Sequence, residues 1–197
     1  MTENAKESGK LVRCWGDGDK AMEDYHDREW GQPVHDDAKL YEYLILNTFQ
    51  ADLPREQVLH KREILQSVFS DYDPEKVALY DEDIVERLLQ VEDMIQNKQM
   101  IKDAITNTKE FIKAQQEFET FDHYIWQFSD YRSPMDPGGV TPQTIPKSTP
   151  ESDMMCEDMQ NRGFKGLDSE ACYAYMQNIG MANDHFDHCF MHGKKGH

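Results

Sequence analysis

The sequence predicts an all-α protein. Apolar residues recur at intervals of three and four along most of the 197-residue chain, which is the period of a helix with one buried face. No stretch shows the sustained alternation of apolar and polar residues that is typical of a half-buried strand. Asp, Thr and Pro stand just before several of these segments, where helices commonly take their N-terminal caps.

The first predicted helices follow such caps. Asp36 and Asp37 can cap a helix over about residues 39–48, because their carboxylates can accept hydrogen bonds from free backbone N–H groups. Leu53 and Pro54 open a second helix, since proline is tolerated at the first helical position. The apolar face of that second helix consists of Val58, Leu59, Ile64, Leu65, Val68 and Phe69.

The middle of the chain is predicted to hold four more helices before a loop. Asp73 starts a short helix, and Asp81 can cap another that ends near residue 91. Helical spacing of apolar residues predicts two further helices over residues 98–118 and 121–128. Residues 133–150 are rich in proline and glycine, and they are therefore predicted to form a loop.

The C-terminal part is predicted to add three helices. Thr149 can cap a helix that ends at Gly163, because glycine readily adopts the left-handed conformation that terminates helices. Residues 169–179 form the next predicted helix, and a last one can be capped by Asn183 or Asp184.

Length and composition indicate one folded unit. The length predicts a single domain over residues 12–192, with two lobes sharing one core and flexible tails at residues 1–11 and 193–197. Four cysteines form no dense disulfide framework, which fits a reducing compartment. We find neither a secretory signal nor an apolar run long enough to cross a bilayer, and we expect a cytoplasmic monomer without membrane contact.

The net charge of −17 argues against general affinity for nucleic acid. Proteins that bind duplex DNA neutralise phosphates with Lys and Arg, and this electrostatic contribution dominates non-specific binding. A local basic groove can coexist with an acidic mean surface, because the field depends on how charges are distributed. The composition by itself therefore does not predict double-stranded DNA as a partner.

Two metal-capable side chains lie near each end of the chain. A segment rich in Gly and Asp, which is predicted to be loop-like, separates Cys14 from His26. His185 and Cys189 are four residues apart, which places them on one face if they lie on a helix. Thiolate and imidazole suit Zn²⁺, and four such ligands make a closed, structural site. We interpret the pattern as a zinc clasp that joins the N-terminal arm to the C-terminal end.

Other interpretations fit the same spacing. Cys14 could be an ordinary buried thiol and His26 a core histidine, because distant ligand pairs have no reliable sequence signature. His188 and His192 are also four residues apart and could compete as ligands.

A series of short motifs carries a family resemblance. They run in order over about residues 12–190, at residues 13–15 (RCW), 25–31 (YHDREWG), 73–78 (DPEKVA), 121–126 (FDHYIW), 162–165 (RGFK), 172–177 (CYAYMQ) and 183–189 (NDHFDHC). In this order the chain resembles the type I 3-methyladenine DNA glycosylases, which are bacterial helix-hairpin-helix repair enzymes. The resemblance implies their all-α fold, and it implies that Cys14, His26, His185 and Cys189 bind one structural Zn²⁺.

The segment that should form the base pocket departs from the family. The family pattern Leu-Glu-x-x-x-Ala-Gly-Leu-Ser-Trp corresponds here to residues 46–55, so Asn47 replaces a glutamate and Arg55 replaces a tryptophan. In the family the glutamate hydrogen-bonds the flipped methylated adenine and the tryptophan stacks on it. An amide loses the charge-assisted hydrogen bond, and an inward-pointing arginine would repel a cationic base. A second pocket tyrosine of many members is Met22 here.

Several residues remain candidates for contact with a base. The resemblance assigns Tyr25 to stacking, Phe49 could offer another aromatic face, and Asn47 and Gln50 could hydrogen-bond a neutral base edge. Core packing is the competing interpretation for Tyr25 and Phe49. The competing interpretation for Asn47 is a residue near a helix C-terminus that bonds backbone.

The expected DNA-binding hairpin also departs from the family. It should lie between the helices at 81–91 and 98–113, where the family has Gly-Ile-Ile-Arg-x-Arg and this chain has residues 93–98 (DMIQNK). Asp93 thus stands where a glycine should let the backbone approach a phosphate, and its carboxylate would repel that phosphate. Ile95, Asn97 and Lys98 are the remaining candidates for DNA contact.

Two functions compete at this point. The resemblance implies N-glycosidic hydrolysis of alkylated adenine in base-excision repair, with activity expected to be weak or altered because of Asn47 and Arg55. The alternative is a non-catalytic, acidic, zinc-stapled binding module. A zinc hydrolase is disfavoured, because a full set of four protein ligands leaves no position for a reactive water.

Overall fold

The computed structural model describes residues 12–130 and 140–193. This part of the chain is helical and contains no strand, as the sequence predicts. Ten α-helices follow one another: α1 (Lys20–Arg28), α2 (Asp37–Gln50), α3 (Arg55–His60), α4 (Arg62–Val68), α5 (Pro74–Val77), α6 (Glu82–Leu88), α7 (Lys98–Phe118), α8 (Phe121–Trp126), α9 (Pro150–Arg162) and α10 (Ser169–Asn178). Two short 3₁₀ turns lie at Ser70–Tyr72 and Gln127–Ser129. None of the described helices is long and apolar enough to span a bilayer.

Helix α2 lies at the centre of the core. Almost every side chain between Leu40 and Phe49 is buried, and the helix packs against α7, α10, α3 and α8. Burial on all sides explains its nearly continuous apolar sequence, since a helix that is hydrophobic all round belongs inside a protein. Its C-terminal turn thereby brings Asn47 and Gln50 next to α10.

Four of the predicted caps are confirmed. Asp36, Asp73 and Asp81 each accept a hydrogen bond from a backbone N–H in the first turn of the helix that follows. Thr149 and Ser152 cap α9 reciprocally, and Gly163 ends that helix at φ = 110°. Each cap satisfies a backbone donor that would otherwise lack a partner.

Three predictions about helices need correction. The segment predicted as one helix after Pro54 forms two, α3 and α4, because the backbone breaks at Lys61 (φ = −99°, ψ = 5°). The helix predicted after Asn183 or Asp184 is wrong, since residues 183–186 are irregular and residues 187–193 form turns with one bend. The segment between Cys14 and His26 is predicted to be loop-like, yet it contains most of α1, which Asp19 caps.

The proline-rich loop and the tails are only partly described. The loop prediction for residues 133–150 is testable from residue 140 onward, where the chain is irregular up to the cap of α9. The predicted tail at 1–11 and most of that at 193–197 lie outside the described residues.

Candidate functional site

The four predicted metal ligands converge in space. The ligand atoms of Cys14, His26, His185 and Cys189 all lie within 4.8 Å of one another. The Cys189 Sγ is 3.4 Å from the His26 Nε2 and 3.6 Å from the His185 Nδ1, and the Cys14 Sγ is 3.7 Å from the same His185 nitrogen. Tetrahedral coordination with usual Zn–S and Zn–N bond lengths gives about 3.6 Å between sulfur and nitrogen. The cluster therefore has the dimensions to hold a metal ion.

The local structure that builds this cluster differs from the expected helix. His26 lies near the end of α1, whereas His185 lies in an irregular stretch and Cys189 lies at a bend between turns. The two sulfur atoms accept backbone N–H groups, from Phe186 to Cys14 at 3.1 Å and from Met191 to Cys189 at 3.4 Å. These hydrogen bonds hold the turns around the sulfurs and would favour the thiolate form that binds metals.

In both histidines the ring nitrogen that faces away from the cluster lies near an oxygen atom. The His26 Nδ1 lies 2.9 Å from an oxygen of Asp27, which Arg13 holds through two hydrogen bonds of 2.8 and 2.7 Å. The His185 Nε2 lies 3.3 Å from the backbone carbonyl of Trp30. In metal sites such partners orient the imidazole and set which nitrogen faces the ion.

The neutral state of both histidine rings favours metal binding. Burial lowers the pKa of His26, and burial lowers that of His185 to about 4, so both rings are neutral near pH 7. Burial raises the pKa of the Cys14 thiol, which therefore depends on a cation to become a thiolate.

The competing histidines lie apart from this cluster. The His192 Nδ1 is engaged by the backbone carbonyl of His185 at 2.9 Å, and His188 is exposed. Four converging ligand atoms also argue against Cys14 and His26 as unrelated core residues. The donor set of the cluster is therefore the predicted one.

A chain of amides joins Tyr25 to the end of α2. The Tyr25 hydroxyl donates to the Asn178 Oδ1 at 2.8 Å, and the Asn178 Nδ2 donates to the Gln50 Oε1 at 3.3 Å and the Asn47 Oδ1 at 3.5 Å. The Asn47 Nδ2 donates to the backbone carbonyl of Ala171 at 3.0 Å. Asn47 thus bonds backbone, but that of α10 rather than of its own helix. Arg55 lies close enough for its charge to act on the Tyr25 hydroxyl. We call Tyr25, Asn47, Gln50, Arg55 and Asn178 the recess cluster, after the base pocket that the sequence predicts at the first four.

Arg55 points inward. Its guanidinium carbon lies 5.1 Å from the ring centre of Trp15 and 5.3 Å from that of Trp30. Its Nη2 donates to the Gln177 Oε1 at 3.4 Å, and Gln177 in turn donates to Asp184 at 2.5 Å. Burial lowers the pKa of Arg55, yet the group stays charged because a guanidinium is not deprotonated in proteins. A positive charge therefore lies against two indole rings.

Phe49 takes part in core packing. It is fully buried, and its ring lies 5.9 Å from that of Phe69 in an edge-to-face arrangement. Tyr25 is equally buried but approaches Tyr43 and Trp15 at 6.4 and 6.3 Å. Of the two aromatic candidates, only Tyr25 is hydrogen-bonded into the recess cluster.

The carboxylate of Glu29 is fully engaged. Arg62 donates to both of its oxygens at 2.9 and 2.8 Å, and the Tyr43 hydroxyl donates at 2.7 Å. Burial raises the pKa of Glu29, but these hydrogen bonds and the charge of Arg62 outweigh it and lower the pKa to about 2. A carboxylate that stays ionised near neutral pH and already accepts three hydrogen bonds is poorly suited to donate a proton.

The connection between α6 and α7 carries few free charges. Lys98 pairs with Glu82 and Glu86, and Lys61 pairs with Asp93 at 3.1 Å. Asn97 caps α7 by accepting from two backbone N–H groups at 3.1 Å, so its side chain takes donors that a phosphate would need. Ile95 is partly buried against the core.

The backbone of Asp93 keeps the shape expected of a glycine. Its φ is +65°, in the left-handed region that glycine adopts without steric cost. The turn has therefore retained its conformation while gaining a carboxylate.

The sequence does not predict the linking roles of two residues in this region. Asn178 links Tyr25 to α2, and Gln177 links Arg55 to Asp184. Gln177 belongs to a motif that the sequence analysis recognised, but no local signal marks Asn178, because its partners are more than 120 residues away.

Comparison with known proteins agrees with the resemblance. The sequence model of the methyladenine glycosylase family matches residues 15–192. The chain belongs to this family. It is 37% identical over 180 residues to DNA-3-methyladenine glycosylase 1 of Escherichia coli strain K12, covering 91% of this chain and 96% of that protein. It is 30% identical over 179 residues to DNA-3-methyladenine glycosylase of Haemophilus influenzae, with 90% and 96% covered.

Solved structures of this methyladenine glycosylase family match the fold. A crystal structure of 3-methyladenine DNA glycosylase I superimposes with a TM-score of 0.88 at 37% identity, covering 92% of this chain and all of the other. A structure of the Staphylococcus aureus enzyme, described as showing the basis of 3-methyladenine recognition, has a TM-score of 0.88 at 23% identity, covering 95% of this chain and 100% of that one. The latter likeness bears on the fold alone.

Proposed function

We propose that this chain is a zinc-stapled DNA N-glycosylase whose action on 3-methyladenine is weak or altered. The family assignment over residues 15–192 carries the first half of this proposal. The inward position of Arg55 between Trp15 and Trp30 supports the second half. We further propose that the protein acts as a cytoplasmic monomer, with the connection between α6 and α7 serving as its helix-hairpin-helix element.

The metal in this proposal is Zn²⁺, bound by Cys14, His26, His185 and Cys189. Two thiolates and two neutral imidazoles at tetrahedral separations fit Zn²⁺, and a set of four protein ligands leaves no coordination position for substrate. The ion would join α1 to the C-terminal turns and take no part in the reaction.

Hydrolysis would proceed by departure of the base. The bond between deoxyribose C1′ and the purine nitrogen breaks, the base leaves with the electron pair, and water adds to C1′ and releases a proton. An alkylated purine already carries positive charge and is therefore a good leaving group. The enzyme's contribution is to hold the flipped base, which places the recess cluster at the centre of the proposal.

Electrostatics predicts poor binding of a cationic base. At about 5 Å, two unit positive charges repel each other by about 3 kcal/mol with an effective dielectric constant near 20. Asn47 supplies no compensating charge, and its amide hydrogen is already donated to Ala171. The absence of the family's carboxylate and the presence of Arg55 therefore both weaken binding of a cationic base.

The deciding measurement is release of free base from methylated duplex DNA. We expect the Asn47→Glu, Arg55→Trp double variant to exceed the wild type by at least about tenfold, which corresponds to about 1.4 kcal/mol. Arg28→Trp makes the same kind of change at an exposed position of α1 and should leave the rate unchanged. A wild-type rate equal to that of the Escherichia coli relative would contradict the altered-activity part of the proposal.

A non-catalytic binding module is the second candidate. The pairing of Lys61 and Lys98 with carboxylates and the net charge of −17 favour it, because phosphate contacts need free cations. Binding to a duplex with an abasic site at low salt separates the two candidates. If no binding is detected there, the glycosylase proposal is rejected and the binding module stands.

A further inference from the structure

The recess cluster and the adjoining Trp30 hold hydrogen-bond donors that lack acceptors. The Nε of Arg55, the Nε1 of Trp30 and the Nε2 of Gln50 are shielded from solvent and have no partner among the described residues. Arg55 and Trp30 are in direct contact, and the carboxamide of Gln50 is hydrogen-bonded to Asn178. Shielded donors without acceptors are unfavourable and uncommon, so a group of them at one place points to an acceptor that comes from outside the chain.

The same place carries an unpaired positive charge. Among residues 12–130 and 140–193, no carboxylate lies within ion-pair distance of Arg55. The hydrogen bonds of Arg55 lead to a carboxylate, that of Asp184, only through the side chain of Gln177. A buried charge is tolerated when it is paired, and a ligand that brings negative charge would complete the pair.

Aromatic surface surrounds this charge. The ring centroids of Trp15 and Trp30 lie 5.1 Å apart, and the ring centroid of Tyr25 lies 6.3 Å from that of Trp15. A flat heterocycle can stack on such rings whatever its charge, because every base has an aromatic face. Discrimination among bases therefore depends on the polar groups, which here are mostly donors.

We propose that the recess cluster selects an uncharged or anionic purine or pyrimidine rich in carbonyl oxygens, with Arg55 as the residue that determines this specificity. An arginine fork can bond two adjacent acceptors on a base edge, as it does with the O6 and N7 atoms of guanine in DNA. The Nε2 of Gln50 would supply a further donor. The inference rests on the proposal that this recess receives the base.

Free bases test this without DNA or catalysis. Two of the three tryptophans, Trp15 and Trp30, lie beside Arg55, so intrinsic fluorescence of the full chain reports on binding there. The probes are urate, which is an anion at neutral pH, xanthine, adenine and 3-methyladenine. We expect urate or xanthine to bind at least about tenfold more tightly than 3-methyladenine, a difference of about 1.4 kcal/mol.

Variants then assign the effect to Arg55. Arg55→Met should weaken urate and xanthine binding at least about tenfold, and Arg55→Lys should be intermediate, because it keeps the charge but loses the planar fork. Arg28→Met removes an exposed arginine from α1 and should change nothing. Circular dichroism and thermal unfolding check that each variant is folded, and the ranking of bases by the wild type decides the question even if Arg55→Met does not fold.

The outcomes separate this inference from the proposed function. Tighter binding of 3-methyladenine, or no binding of any base, overturns the inference; in the latter case Arg55 itself fills the recess. Selective urate or xanthine binding by a chain that fails to bind abasic DNA supports the inference and rejects the glycosylase. DNA binding together with a preference for 3-methyladenine supports the glycosylase proposal and overturns the inference.

Discussion

The metal-capable cluster and the recess cluster lie in contact, yet they relate to the family in opposite ways. Trp30 belongs to both neighbourhoods, since its carbonyl contacts His185 and its indole contacts Arg55. On one side every expected ligand type is present, at separations suited to a tetrahedral ion. On the other side Asn47 stands where the resemblance implies a carboxylate, and Arg55 stands where it implies an indole.

This difference reflects how each region is constrained. A closed metal site fails when one ligand is lost, because the remaining groups keep their desolvation cost without the ion. A base recess tolerates polar exchange as long as its volume and hydrogen bonds are rebuilt, and here Asn178 links Asn47, Gln50 and Tyr25. With the proposed ion bound, the metal-capable cluster would maintain the framework while the chemistry of the recess can change.

The largest expected effect is on the metal-capable cluster. Cys14→Ser should reduce zinc from one ion per chain to almost none and lower the free energy of unfolding by at least about 3 kcal/mol, because structural zinc contributes directly to folding. Zinc content by mass spectrometry and urea denaturation measure the two effects. Cys156→Ser, at a buried cysteine outside the cluster, is the control and should keep its zinc. Unchanged zinc in Cys14→Ser would remove Cys14 from the ligand set.

A smaller effect is expected at Glu29, which follows the last residue of α1. Glu29→Gln should lower the free energy of unfolding at pH 7 by about 1–2 kcal/mol, since it weakens a partly buried pair with Arg62 that solvent still screens. Asp24→Asn, at an exposed carboxylate of α1, is the control and should cost less than about 0.5 kcal/mol. If Glu29→Gln instead abolished base release without loss of stability, Glu29 would be catalytic rather than structural.

The same variant has a defined pH signature. Glu29 has its pKa lowered from 4.5 to about 2 on folding, so its contribution is present above pH 4.5 and is lost as the pH falls through 2. The wild type should therefore lose stability over this window more steeply than Glu29→Gln. Denaturation midpoints measured from pH 5 to pH 2 check the slope, and equal slopes would show that Glu29 gains no charge-stabilising contacts on folding.

The sequence predicted the framework better than the recess. Local signals sufficed for caps such as Asp36, Asp81 and Thr149, because a cap depends on residues three positions away. The ligand set followed from the motif order, although the helix predicted for His185 and Cys189 is wrong: backbone N–H groups bond to sulfur there instead of continuing a helix. The direction of Arg55 could not be read locally, because it depends on Trp15, Trp30 and Gln177, which come from distant segments.

The smallest expected effect concerns Asp93. Its backbone has a conformation suited to glycine, whereas its side chain carries a negative charge. The backbone at φ = +65° suits glycine, and the exposed pair with Lys61 contributes little, so Asp93→Gly should change the free energy of unfolding by less than about 1 kcal/mol. Removing one negative charge at about 5 Å from a phosphate in water is worth about 0.8 kcal/mol, or about fourfold in affinity for abasic duplex DNA.

Asp93→Asn separates charge from backbone at this position, because asparagine removes the charge and still tolerates the left-handed conformation. Equal gains in DNA affinity for Asp93→Asn and Asp93→Gly would show that charge repulsion weakens the hairpin. A gain for Asp93→Gly alone would show that close backbone approach is what the carboxylate side chain prevents. Unchanged affinity in both would mean that the connection between α6 and α7 does not face DNA, and the hairpin would then have lost its role along with its glycine.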